Sequence, residues 1–186
     1  MLIAARSSLD VAIWFNDRAL GDGEYLQPQK LHRLLYLAQA YYTVAYPTQK
    51  LMPAVFIIEE LGPTEPTVFH ALAFGFPPTL EKNPIPQKAR DFLDSIWRKF
   101  GASKAEQLSK AILAHGPVVD ALSKGLGNEI SFDAMTKFYG KATETRKDVP
   151  SLDKVLRPKV MRSATGKPVN VSLWRPKSLA DKGGEG

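Results

Sequence analysis

Three histidines are the side chains of this sequence best suited to acid–base or metal chemistry near neutral pH. His32, His70 and His115 stand far apart, and none lies four residues from another histidine or beside a carboxylate at metal-ligand spacing. The chain has no cysteine, which excludes disulfides, thiolate metal sites and a cysteine nucleophile. We therefore predict no metal site, and we assign the histidines structural or surface roles.

A second group that could do chemistry is a cluster of carboxylates, Glu59, Glu60 and Glu65, around the dipeptide Gly62-Pro63. Paired carboxylates perform acid–base catalysis when their environments separate their pKa values, but nothing in the sequence indicates burial or a substrate pocket here. Two other interpretations stay open. The segment is a solvated turn in which Glu65 begins a helix, or Glu59 or Glu60 faces the basic side of the preceding helix or a basic partner.

The common catalytic signatures are absent from the sequence. It contains no phosphate-binding glycine loop, no nucleophile elbow and no His-Glu-x-x-His pair. The sequence therefore predicts no catalytic residue, no metal and no cofactor, and it argues against an enzyme.

The strongest helix signal is the run Leu26 to Tyr42, L-Q-P-Q-K-L-H-R-L-L-Y-L-A-Q-A-Y-Y. Pro28 suits the first helical position, where its missing N–H is not needed, and Pro47 ends the helix near residue 45. Apolar residues recur at helical spacing, namely Leu31, Leu34, Leu35, Ala38, Tyr41 and Ala45. The opposite face carries Lys30, Arg33, Gln39 and Tyr42.

This helix and its exit carry four tyrosines: Tyr36, Tyr41, Tyr42 and Tyr46. One stripe cannot bury all of them, because successive residues point about 100° apart. Either the helix is central and packed on most sides, or one of the last two tyrosines joins Arg33 and Gln39 in an exposed patch. Tyr and Arg are the residues that concentrate binding energy at protein interfaces.

The remaining periodicity predicts a mainly α, compact multi-helix domain with a small β-hairpin or irregular C-terminal appendage. Ala54–Ile58 is a strand or a buried helical turn, and the four prolines of 75–86 indicate a loop. The predicted helices are Ser8–Gly21, Pro66–Phe74, Gln87–Phe100, a helix from a Ser103–Glu106 capping box to about His115, Pro117–Lys124, and a Ser131-capped helix ending at Gly140.

Residues 141–186 differ in composition and charge from the rest of the chain. They hold eleven Lys or Arg and five Asp or Glu, a net +6, whereas residues 1–140 hold 14 of each. Val169, Val171 and Leu173 alternate with polar or aromatic residues as in a strand, and Thr165-Gly166 suits a turn. We predict a domain at 1–140 and a basic extension at 141–186, partly extended or disordered, which is a solvated tail or an attachment segment.

Composition indicates a globular protein that lies outside membranes. The chain has 186 residues and 44% hydrophobic content, and no apolar run approaches the roughly 20 residues that span a bilayer. The opening M-L-I-A-A-R-S-S is too short and too soon charged for a signal peptide. We expect a cytoplasmic location.

Two segments resemble the Panacea domain of toxin–antitoxin systems. That family reads about K-L-x-K-L-L-Y-x-A-Q on a helix and then A-W-x-x-G-P-V-x-x-x-V-Y. The matching residues are Lys30, Leu31, Leu34, Leu35, Tyr36, Ala38 and Gln39, then Gly62, Pro63, Val68 and Phe69. Arg33 replaces a lysine, Glu59 stands where the family has tryptophan, and Thr64 replaces valine. Leu9–Phe15 and Glu129–Gly140 look like the first and last helices of the family, so the likeness spans about 8–140.

This resemblance implies an antitoxin that works by holding another protein. SocA-like members of the family bind a replication-blocking toxin, SocB, and deliver it to the ClpXP protease. The implied partners are therefore a SocB-like cognate toxin and the ClpX unfoldase, with the extension after residue 140 as the candidate tether. The predicted partner-binding residues, chosen by motif position and chemistry, are Arg33, Tyr36, Gln39, Tyr42, Glu60 and Gly62.

The alternative is a nucleic-acid-binding regulator that contacts phosphates through the basic extension. The neutral charge of residues 1–140 and the lack of a helix pair with a basic recognition face weigh against this alternative.

Overall fold

The computed structural model describes residues 1–74, 83–141 and 149–156, together with two short strands at 161–162 and 168–169. The described residues form mainly α-helices, as the sequence predicts. The chain divides into two compact units, Met1–Leu156 and Arg157–Gly186.

The described part of the first unit consists of eight helices and two pairs of short strands. The helices are α1 (Ser8–Gly21), α2 (Pro28–Ala45), α3 (Pro66–Phe74), α4 (Gln87–Phe100), α5 (Ala105–Leu113), α6 (Gly116–Leu122), α7 (Phe132–Gly140) and α8 (Leu152–Val155). The strands are β1 (Leu2–Ile3), parallel to β2 (Gln49–Lys50), and β3 (Ile57–Glu59), antiparallel to β4 (Gly62–Thr64).

Helix α2 is the centre of this unit. It contacts α1, α3, α4, α5, α7 and β4, and every residue from Leu31 to Thr43 is buried. Its apolar stripe therefore packs on the other helices, while its polar face is buried against β4 and against the segment that contains β2. The prediction of a central helix packed on most sides is confirmed, and the alternative of an exposed patch is wrong.

Several predicted helix boundaries are confirmed, because proline, glycine and capping residues mark them in the sequence. Helices α2, α3 and α4 have the predicted bounds. The Ser131 hydroxyl accepts a hydrogen bond from the Ala134 N–H at 3.3 Å, which caps α7 as predicted. Glu65 begins α3, because its carboxylate accepts a hydrogen bond from the Val68 N–H at 2.7 Å.

Other predicted helix ends are wrong by one or two residues. The N-cap of α1 is Ser7 rather than Ser8, since the Ser7 hydroxyl accepts from the Leu9 N–H at 3.1 Å. Helix α1 continues through Gly21, and the left-handed glycine that follows it is Gly23, with φ of 75°. Helix α5 begins after Lys104, whose N–H donates to the Gln107 side chain at 3.0 Å, so the predicted Ser103–Glu106 capping box does not form.

The first unit extends beyond the predicted domain boundary at residue 140. Val149 and Val155 are buried in its core, and the Tyr41 hydroxyl donates a hydrogen bond to the Pro150 carbonyl at 2.7 Å. The structure therefore places the division at 156/157 rather than at 140/141. The anchors of this segment are these two valines and the partly buried Leu152 and Leu156, a signal too short to separate the segment from the tail by composition.

In the second unit, β5 (Met161–Arg162) runs antiparallel to β6 (Pro168–Val169), with Met161 opposite Val169. This pairing agrees with the predicted hairpin. The predicted turn at Thr165-Gly166, the alternating Val171 and Leu173, and residues 75–82 of the predicted loop lie outside the described residues. Among the helices that the structure describes, none combines the length and apolar character needed to cross a membrane.

Candidate functional site

The β3–β4 hairpin is the element that shapes the candidate site. Glu59 pairs with Gly62, and the two-residue turn between them consists of Glu60 and Leu61. Gly62 has a φ of 115°, in the region that favours glycine. The buried middle of β3 is fixed from its other side, because the Ile58 N–H donates to the Asn128 carbonyl at 2.9 Å. The hairpin is thus held in place on both sides.

Arg33 binds this hairpin from α2. Its guanidinium donates to the Pro63 carbonyl at 2.6 Å and to the Leu61 carbonyl, and Nε donates to the Ser109 hydroxyl of α5 at 2.9 Å. A Cβ added at Gly62 would lie 3.1 Å from the guanidinium carbon. Because Gly62 has no side chain, the turn can close around the guanidinium. The guanidinium therefore joins α2, α5 and the hairpin.

The partners of Arg33 are neutral groups. The side chain is 1% exposed, and burial lowers its pKa to about 10, so it stays charged at pH 7. Within the described residues, neither Glu59 nor Glu60 forms an ion pair with Arg33 or Lys30; the ion pair of Lys30 is with Glu24, at 3.7 Å. The sequence left open that Glu59 or Glu60 faces the basic side of α2, and the structure shows no direct contact of this kind among the described residues.

The other predicted residues on α2 are also interior. The Gln39 side-chain oxygen accepts from the Met52 N–H at 3.1 Å. The Tyr42 hydroxyl donates to the Gln49 side chain at 3.2 Å, and the Tyr36 ring packs edge-on against Phe56 at 5.4 Å. These contacts hold the segment between α2 and β3 against the helix, and they are the physical reason why the three side chains are buried.

Of the predicted partner-binding residues, Glu60 is exposed at the hairpin turn, whereas Arg33, Tyr36, Gln39, Tyr42 and Gly62 are buried. The structure brings Glu60, Gly62 and Arg33 together at the hairpin. Tyr36, Gln39 and Tyr42 lie further along α2, away from that turn, where they support the fold.

An open groove of about 1110 Å³ lies between the start of α2, the hairpin turn and α3. Its lining includes four large apolar side chains that are at least half exposed: Leu61, Phe69, Phe74 and Leu126. Three carboxylates also belong to the lining: Glu59, Glu60 and Glu106. The groove therefore combines apolar contact area with negative charge, and this combination suits binding of an extended or helical partner.

His32 lies in the wall of this groove and is 4% exposed. Its Nδ1 accepts a hydrogen bond from the Glu65 N–H at 3.2 Å, while the buried Nε2 has no hydrogen-bond partner among the residues that the structure describes. Burial, and then the nearby charge of Arg33, lower the pKa of His32 to about 4. The ring is therefore neutral at pH 7, and its one proton is on Nε2, since Nδ1 acts as an acceptor.

Sequence reasoning missed His32, Phe69, Leu126 and Glu106 as parts of a shared site. Phe69 was in the matched motif, and Leu126 stands between two glycines, an unusual place for a large apolar residue. Neither signal shows that α3, the 123–131 loop and α5 meet the hairpin, because that proximity depends on tertiary packing.

Acid should destabilise the protein through His32. Its pKa falls from the ordinary 6.5 to about 4 on folding, so the unfolded state binds more protons between these pH values. The contribution of His32 to the free energy of unfolding is fully present above about pH 6.5. It declines as the pH falls toward 4, and the loss is about 2 kcal/mol at pH 5. Urea unfolding at pH 7.5 and pH 5 measures the loss.

The matched variant for this measurement is His32→Asn, which keeps an acceptor near the Nδ1 position and does not titrate. The variant should lose about 2 kcal/mol less than the wild type over the same pH interval. Equal losses in both proteins would show that His32 does not carry the acid sensitivity.

Searches of protein-family models, of curated proteins and of solved structures returned no match to this chain.

Proposed function

We propose that this chain is an antitoxin that binds and neutralises a cognate protein toxin and delivers it to the ClpXP protease. The observation that carries the proposal is the open apolar groove beside the hairpin, built by the two segments that resemble the Panacea domain. Both segments contribute to it: His32 and Arg33 come from the first, and Thr64 and Phe69 from the second.

A macromolecular partner is favoured by the exposed apolar lining of the groove. The apolar residues Leu61 and Phe69 are 61% and 57% exposed, an arrangement that a protein interface would cover. Burying them against a toxin would hide the working surface of that toxin without any covalent step.

Delivery requires a second attachment, for which the basic extension is the candidate. Tethering a bound toxin beside the protease raises its local concentration, to millimolar for a short flexible linker. Residues 157–186, which follow the first compact unit, hold seven Lys or Arg and two Asp or Glu, and this net charge of +5 suits an acidic docking surface on the unfoldase.

Co-expression with the protein encoded by the neighbouring gene tests the proposal. We expect the two proteins to purify as a complex, the toxin to stop arresting growth, and ClpXP to degrade the toxin faster when this chain is present. A neighbouring gene product that neither binds this chain nor is neutralised by it would refute the antitoxin function.

Truncation after Leu156 should separate binding from delivery. The cut leaves the first compact unit whole, including the buried Val149 and Val155. We expect the truncated protein to bind the toxin within about twofold of the full chain but to lose stimulation of its degradation, because the tether is gone. Degradation at the full rate by the truncated protein would exclude the extension as the tether.

The basic extension also favours a second function, regulation through nucleic-acid binding. Salt distinguishes the two, because contacts to phosphates lose affinity with a log–log slope of about 0.9 per neutralised phosphate. We expect weak DNA binding with a steep salt dependence, and toxin binding with a much shallower salt dependence, because the centre of the groove is apolar. A tight, sequence-specific DNA complex would favour the regulator.

A further inference from the structure

We infer that the groove accepts an apolar peptide segment flanked by lysine or arginine, one of whose backbone carbonyls accepts a hydrogen bond from Nε2 of His32. The inference rests on the proposed protein-binding function and adds the surface and the chemistry of the partner. It has three independent supports, namely charge, exposed apolar area and an unpaired donor.

The charge of the groove selects a cationic partner. Glu60 and Glu106 are exposed, and Glu59 is half-buried, around the same opening. Among the described residues, Arg33 is the one Lys or Arg that lines the groove, and its guanidinium is already hydrogen-bonded to two carbonyls and a hydroxyl. Lysine or arginine beside the apolar contact would be attracted to this rim, whereas an acidic segment would be repelled.

The apolar side chains define what lies between those charges. Leu61, Phe69 and Leu126 come from three different elements and are 61%, 57% and 50% exposed. All three side chains line the same groove. A leucine- or phenylalanine-containing segment that covers them would gain about 1–2 kcal/mol per side chain buried.

His32 supplies the specific polar contact. A buried N–H without an acceptor costs about 1–3 kcal/mol, and His32, a residue of the groove lining, carries such a donor at its buried Nε2, which has no partner among the described residues. A backbone carbonyl of the partner would satisfy it. A carboxylate would also accept this proton, but the three glutamates of the lining oppose its entry.

The test uses the full-length chain and random 12-residue peptides displayed on phage. Selection should enrich peptides with two or more Leu, Phe, Ile or Trp flanked by Lys or Arg, and should deplete Asp and Glu. Fluorescence anisotropy then measures affinities of enriched, labelled synthetic peptides at pH 7.5, where His32 is neutral.

Matched pairs of variants locate the binding surface. Phe69→Ser and Glu60→Lys should each weaken peptide binding by at least about tenfold. Leu20→Ser and Asp120→Lys, which change an exposed leucine of α1 and an exposed aspartate of α6 outside the groove, should leave it within about twofold. His32→Asn should weaken binding about fivefold while circular dichroism shows an unchanged fold.

Each outcome decides the inference. Acidic consensus peptides, no enriched peptide, or equal weakening by the groove and control variants would overturn it. The same four surface variants are tested against the neighbouring gene product. A toxin that binds every variant equally overturns the groove assignment and leaves the antitoxin function standing, whereas peptides that bind as expected without any toxin complex retain the groove and refute the antitoxin.

Discussion

Replacing Arg33 with methionine should lower the free energy of unfolding by at least about 3 kcal/mol, the largest loss we expect from one substitution in this protein. Arg33 is 1% exposed and donates to two hairpin carbonyls and to Ser109. Methionine has a similar reach and fills much of the space, but it cannot donate a hydrogen bond.

Two effects oppose each other in this substitution. Methionine removes the cost of burying a cation, which is the cost that lowers the pKa of Arg33 to about 10. It also removes three hydrogen bonds from a charged donor, each with a net contribution of about 1.5–3 kcal/mol. The loss is larger because the Pro63 carbonyl is buried and would keep no donor after the change.

Urea unfolding followed by circular dichroism at pH 7.5 measures this loss, and Arg18→Met is the matched control. Arg18 contacts Asp22 at 2.5 Å and Asp94 at 3.2 Å, but it is about one-third exposed. Its removal should cost less than about 1 kcal/mol. Equal losses at the two positions would show that Arg33 does not hold the hairpin.

The outline of the fold was predictable from sequence because local signals mark most of its helices. Pro28 and the stripe from Leu31 to Ala45 define α2, and the apolar face from Ala89 to Phe100 defines α4. These signals depend on residues close together in the chain. Errors arose at caps such as Ser103, where two neighbouring residues offer similar local hydrogen bonds.

The site was less predictable, because its geometry depends on contacts between distant segments. The sequence left open whether the polar face of α2 is packed or exposed. In the structure the Arg33 guanidinium donates to carbonyls 28 and 30 residues away and to the Ser109 hydroxyl, and the Gln39 side-chain oxygen accepts from a backbone N–H 13 residues away. Nothing in a single sequence shows which carbonyls approach a helix face. The spacing of apolar residues identifies the stripe that packs on helices, but not the polar face that packs on loops.

Burial of the motif residues is compatible with a role in partner binding, because they position the exposed ones. Arg33 holds the carbonyl of Leu61, whose side chain is 61% exposed at the groove. His32 accepts from the Glu65 N–H at the start of α3, which carries Phe69. The buried face of α2 thus fixes two walls of the surface that we propose binds the toxin.

Gly62→Ala should be the next most destabilising change, with an expected loss of about 2–4 kcal/mol. A φ of 115° strains any residue with a Cβ, by about 1–3 kcal/mol. The new Cβ would also lie 3.1 Å from the guanidinium carbon of Arg33, so the hydrogen bonds that this side chain donates must lengthen. Gly125→Ala is the control, because Gly125 has a similar φ of 105° but its nearest contact is 3.7 Å, to Asn128.

A double-mutant cycle separates the strain from the contact. If the Cβ acts partly by displacing the guanidinium, Gly62→Ala should cost about 1–2 kcal/mol less in the Arg33→Met background than in the wild type. Gly125→Ala should cost the same in both backgrounds, since Gly125 does not contact Arg33. Urea unfolding of all six proteins at pH 7.5 measures both couplings. Additive losses at Gly62 would mean that the turn and the guanidinium are energetically independent. The position of Leu61 in the groove wall would then not depend on Arg33.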